Sequence, residues 1–159
     1  MAPKESNRPS ALEQGSIALE EMTMDRAQIA DYMRAISADL TQFDSEVSYR
    51  DAMAVLVVTR RDNAGRWARI ATKGELFDLT VDGEFYLAHP TVRPDDSEIM
   101  NEIDQLLNVA VAYLEGRFTR IDKTFPVILV DTPTGQEKLR AGTWDLSIGL
   151  LVRKLFKRA

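Results

Sequence analysis

Two rhythms of apolar and polar positions run along this 159-residue chain. Between Ala52 and Thr59 both alternate sets of side chains are apolar, which suits a central strand covered on both faces. Asp62-Asn63-Ala64-Gly65 tolerates the backbone angles of a tight reversal, so Arg66 to Thr72 is expected to return antiparallel. Lys73-Gly74 turns the chain again. From Glu75 the alternation is cleaner, with Phe77, Leu79 and Val81 on one face and Asp78 and Thr80 on the other. Asp82-Gly83 is the strongest hairpin signal, because a two-residue turn that matches strand twist needs positive φ at both central positions. Glu84 to Ala88 then completes a four-stranded meander.

The second rhythm is helical. Pro94-Asp95-Asp96-Ser97-Glu98 offers an acidic cap with a carboxylate three residues on, which satisfies free N–H groups and suits the positive end of the helix dipole. Ile99, Ile103, Leu106, Ala110 and Tyr113 share one stripe, Glu102, Asp104, Gln105 and Asn108 lie opposite, and Gly116 stops the helix. Upstream, Thr23 is read as the cap of a helix bearing Ile29, Met33, Ile36, Leu40 and Phe43 and ending near Gln42. Asp44 to Arg50 reads as a polar connector, extended toward its end. After Gly116, Arg117 to Asp122 and Phe125 to Val130 are strand candidates, with Pro126 confined to an edge or a strand start. Thr132-Pro133-Thr134-Gly135 turns into Gln136 to Arg140, a second hairpin. Thr143 caps a last helix with Trp144, Ile148, Leu151, Val152 and Leu155 on one side.

These segments predict an α+β fold: an antiparallel meander of about four strands plus a second hairpin, with helices packed mainly on one face. Residues 1–16, with Pro3, Pro9, Gly15 and three serines, suit a mobile tail, and residues 17–159 suit a single domain. The absence of cysteine removes disulfides, thiolate chemistry and cysteine-based zinc sites. A net charge of −5 argues against broad nucleic-acid affinity. No stretch approaches the roughly 18 apolar residues of a membrane span, and no apolar core follows the charged N-terminus as in a secretion signal. The expected location is the cytoplasm. The last helix ends in Arg153, Lys154, Lys157 and Arg158; such cations complement a helix dipole, and the same pattern also fits attachment to an anionic partner or membrane surface.

Candidate chemistry is sparse. His89, the only histidine, sits in Ala88-His89-Pro90 upstream of Asp95 and Asp96, where it serves either as a base or metal ligand beside those carboxylates or as a strand-end side chain with an ordinary hydrogen bond. Thr134-Gly135-Gln136-Glu137-Lys138 lacks the Gly-Lys-Ser/Thr of a phosphate loop, and Asp145-Leu146-Ser147-Ile148-Gly149 lacks the first glycine of a nucleophile elbow. No catalytic residue, metal site or cofactor is assigned. Arg60, Arg61, Arg66, Trp67 and Arg69 crowd the first hairpin, a combination enriched at protein interfaces, or else a solvated hairpin whose Trp67 packs inward.

In element order, residues 23 to 158 resemble the type III secretion chaperones: helix, antiparallel strands, helix, two or three strands, terminal helix. The fourth strand before the middle helix departs from that layout, and no functional residue carries over. The expected function is non-catalytic binding of another protein, as in an immunity protein that occludes a toxin or a secretion chaperone that holds an effector, with an isologous homodimer as the expected assembly. Two alternatives stand beside it: a small hydrolase or ligand-binding domain using His89 with Asp95 and Asp96 in a pocket, and a structural subunit of a larger assembly.

Overall fold

Capping fixes where both helices begin. The computed structural model describes residues 24–122 and 124–142. Helix α1 (Arg26–Ala38) starts at Asp25, whose carboxylate accepts from the Gln28 N–H while the Gln28 side chain accepts from the Asp25 N–H. Helix α2 (Asp96–Leu114) starts with the same reciprocal pair made by Asp95 and Glu98. Five strands lie between the helices: β1 (Phe43–Arg50), β2 (Met53–Arg60), β3 (Asn63–Thr72), β4 (Leu76–Val81) and β5 (Phe85–Pro90). Three follow α2: β6 (Phe118–Ile121), β7 (Val127–Thr132) and β8 (Gly135–Ala141).

The class is α+β with an antiparallel sheet, and the sheet is larger than the sequence suggests. All eight strands join in the order β1-β2-β3-β4-β5-β8-β7-β6. The segment read as a connector is β1, paired along its whole length with β2 from Phe43↔Arg60 to Arg50↔Met53. Its polar residues hide a plain alternation, with Phe43, Ser45, Val47 and Tyr49 on one face. Helix α1 accordingly ends at Ala38 rather than near Gln42, and Phe43 is a buried strand residue. The reversal expected at residues 62–65 is displaced, because Asn63 already pairs with Arg60 and the ladder then slips before Thr59↔Trp67. Asp82 and Gly83 both adopt positive φ as expected. So do Asp51 and Ala52, at +47° and +65°, in a turn that contains no glycine. The expected N-terminal tail, the Thr23 cap and the last helix lie outside the described residues.

Register assigns the faces. Ala54, Leu56 and Val58 stand level with Thr72, Ile70 and Ala68, and these with Phe77, Leu79 and Val81. On this face Ile29, Ala30 and Met33 of α1 and Ile99, Ile103, Leu106 and Ala110 of α2 close one hydrophobic cluster. The two helices meet over Gly74, where a Cβ would lie 3.8 Å from both Ile29 Cδ1 and Ile99 Cδ1. Strand alternation turns Val55, Ala71, Asp78 and Thr80 to the opposite face; all four are buried, and Val55 and Ala71 stand apart from that cluster.

Candidate functional site

The eight strands form two ladders with a short joint. Strands β1 to β5 pair over nearly their full lengths, as do β6, β7 and β8. Between β5 and β8 the only partners among the described residues are Phe85↔Ala141 and Tyr86↔Arg140, extended by the Gly142 N–H donating to Glu84 O at 2.8 Å. Beyond Tyr86 the two strands part. Because Glu84 and Tyr86 turn their main-chain groups toward β8, alternation turns those of Ala88 the same way, together with the Pro90 carbonyl. Across the gap, Gln136 and Lys138 turn theirs toward β5. Pro90 has no N–H to offer a ladder, which is one local reason the pairing stops short.

The walls of this gap carry the only histidine. His89 belongs to β5 on the helix-bearing face, and its Nδ1 lies 3.1 Å from Glu102 Oε2 of α2, with the imidazole side chain 31% exposed. Asp95 and Asp96 are engaged elsewhere. Asp95 caps α2, and Asp96 Oδ1 accepts from the Met24 N–H at 2.6 Å, fastening the start of α1. A depression of about 400 Å³ next to the pair is lined by Thr91, Val92, Pro94, Glu98, Asn101 and Glu102. The sequence placed His89, Asp95 and Asp96 together in a pocket; in the structure His89 meets Glu102, and Glu98 and Glu102 line the depression. Glu98 is held by its cap and Thr91 Oγ1 donates to Glu75 O, so both are already bonded. The lip is apolar: Val92 is 90% exposed.

The arginine-rich hairpin does not form one patch. Arg60 donates to Leu114 O at 3.2 Å, satisfying a carbonyl at the C-terminus of α2, and also pairs with Asp62. Arg61 pairs with Asp44 across the β1–β2 ladder at 2.8 Å. Arg66 lies over the rings of Tyr113 and Phe118, 5.8 and 5.1 Å from their centroids. Trp67 and Arg69 alternate onto the face opposite α1 and α2, where Arg69 stands opposite Thr80. Arg69 Nε and Thr80 Oγ1 are both buried and have no hydrogen-bond partner among the described residues.

At the other end of the joint a carboxylate ties three elements. Asp82 Oδ1 accepts from the Trp67 N–H at 2.8 Å, and Oδ2 accepts from the Tyr113 hydroxyl at 2.5 Å. Burial, and then the Asp82 carboxylate, push the Tyr113 phenol well above its ordinary range. Tyr113 stacks on Phe118 at 4.7 Å, and Arg120 lies over Phe85, so β6 is held to α2 and β5 through rings and cations. Among the described residues, no group of three or more histidine or carboxylate side chains is gathered as for a metal ion, and no helix is long and apolar enough to cross a membrane.

Sequence reasoning missed Glu102 and the open edges of β5 and β8. Glu98 and Glu102, one helical turn apart, were a readable signal for a shared flank of α2; the parting of two strands distant in sequence had none. Comparison of the chain with protein-family models, with curated proteins and with solved structures finds no match.

Proposed function

We propose that this is a non-catalytic protein-binding domain, an adaptor in the manner of an immunity protein or secretion chaperone, which takes an extended segment of its partner along β5. The observation that carries this reading is the parting of β5 and β8. Main-chain donors and acceptors at Ala88, Pro90, Gln136 and Lys138 have no ladder partner across the β5–β8 parting among the described residues, and an added strand satisfies such groups while the side chains beside it supply selectivity. Val92 at the lip gives an apolar contact, and the surrounding carboxylates already serve caps and His89.

The test is to isolate a stoichiometric partner with the tagged chain from its native host and then titrate variants against it. Ala88→Pro removes the N–H that faces the gap and leaves the β4 side of β5 unchanged. It and Val92→Arg are expected to weaken binding about tenfold or more, the loss of a hydrogen bond or an apolar anchor being worth about 1–2 kcal/mol. Unchanged affinity in both variants, or no stoichiometric partner under any condition, would count against the proposal.

A second reading, a small hydrolase or ligand-binding domain, is carried by the His89–Glu102 pair, since an imidazole oriented by a carboxylate is a common general base. It requires turnover of some ester or amide that His89→Asn abolishes and Val92→Arg does not.

A further inference from the structure

We propose that β1 is the seam of an isologous homodimer, pairing antiparallel with β1 of a second copy about a two-fold axis at Val47. The two edges of the sheet differ. Strand β6 is four residues long, whereas β1 is eight residues long, free of proline and paired with β2 without a register slip. Monomeric proteins ordinarily blunt an edge of that length with bulges, prolines or charged side chains; β1 has neither bulge nor proline, and its charges, Asp44, Glu46 and Arg50, are of both signs and so can pair as well as repel.

The turn decides which groups of β1 face outward. Arg50↔Met53 is closed by two residues of positive φ, so Arg50 exchanges main-chain bonds with Met53, as do Ser48, Glu46 and Asp44 with their partners in β2. Tyr49, Val47 and Ser45 therefore turn their N–H and C=O groups to an edge that no described strand pairs with; Phe43 turns only its C=O there, its N–H donating to Leu40 O. A two-fold axis at Val47 sets Val47 against its own copy and Ser45 against Tyr49 of the partner copy, so outward residues meet outward residues. It also sets Asp44, whose Oδ1 accepts from Arg61 of its own chain and whose second oxygen is left for a further cation, against the partner's Arg50, twice, and Glu46 against the partner's Ser48. An axis at Glu46 would face that carboxylate with itself, and an axis at Ser48 would push Asp44 past the strand onto Ala52 of the turn. Charge and overlap select the same register.

The helices allow it. Helix α1 packs on β1 and β2 together. With strands about 4.8 Å apart, its axis and that of the copy would pass about 9–10 Å from each other, the ordinary spacing of packed helices. Tyr32 reaches Asp104 on the α2 side, so the opposite flank of α1, with the short Ala27 and Ala38 beside Arg34, faces the edge.

The test uses the full chain, with mass measured by light scattering after size exclusion. The wild type is expected at twice the chain mass. Asp44→Arg and Arg50→Asp each place like charges across the seam at both ends and are expected to weaken the dimer about tenfold or more. Mixing the two variants restores opposite charges at both positions, so a heterodimer of wild-type strength is expected, an outcome that also requires both to be folded. Hydrogen exchange of the wild type supplies a second readout, with Val47 and Tyr49 amides protected increasingly as chain concentration rises. A monomeric wild type, a dimer indifferent to both substitutions, a mixture that does not re-form it, or Val47 and Tyr49 amides that exchange freely in the dimer would each overturn the proposal.

Discussion

Strands β2 to β4 and strands β6 to β8 occupy one sheet but are kept there differently. The former are bound edge to edge over long ladders and roofed by both helices, with Leu56, Ile70, Phe77 and Leu79 fully buried between them. The latter reach the former only by way of β5, which β8 meets through two ladder pairs, and their share of the common core is Ile128, Val130 and Leu139 under α2, with Phe118 packed alongside. Membership of a sheet is thus no measure of attachment. The second unit is placed by side chains against α2 more than by main-chain pairing, and its amides are expected to open at lower free energy than those of β2 to β4.

The sharpest way to break this difference is to remove the element both units share. Ile103→Ala on α2, where the side chain is fully buried, is expected to cost about 2–5 kcal/mol and to lower the denaturation midpoint of both units together. Ile128→Ala, a cavity of the same class on β7, is expected to act locally, accelerating hydrogen exchange in β6 to β8 while β2 to β4 keep most of their protection. Equal acceleration in both would show the sheet to be a single cooperative unit.

Tyr113→Phe acts on the joint itself. It removes the hydroxyl bonded to Asp82 and is expected to cost about 1–2 kcal/mol, read from urea unfolding. Alkaline pH attacks the same place. The unfolded phenol ionises near about 10, while burial and Asp82 hold the native one higher, so the contribution of Tyr113 is intact below that value and drains away as pH climbs toward the native one. Tyr32, pushed up to about 12 by burial and by its bond to Asp104, drains in the same direction. Tyr113→Phe should therefore flatten the alkaline fall in stability in part.

The smallest effect should be a gain. Ala52 carries φ +65° in a turn where glycine is at ease, so Ala52→Gly is expected to raise stability by about 0.5–1 kcal/mol, measured as a higher thermal midpoint. It should widen the gap between the two units, because the turn belongs to the meander alone.

The legible parts of the fold were those whose cause is local. The Asp95–Glu98 cap, the span of α2 and the left-handed pair at Asp82-Gly83 each follow from a few neighbouring residues. Strand β1 was missed because it carries little apolar weight; its alternation was present, but Asp44, Glu46, Ser48 and Arg50 masked it. The short β5–β8 pairing was not legible, since no residue near Tyr86 encodes where Arg140 will arrive. The partner of His89 was misplaced for the same reason, proximity in sequence pointing to Asp95 and Asp96 while the fold delivers Glu102. The five residues of the first hairpin were grouped by position, and the fold sends them to a helix end, a ladder, a ring stack and the far face of the sheet.

The incomplete seam between β5 and β8 makes the molecule its own reporter. Whatever lies along it would act as a splint, coupling a loosely hung flap to a stiff plate. Occupancy would then register as slower solvent exchange throughout Gly135–Ala141, a signal available before any ligand has a name.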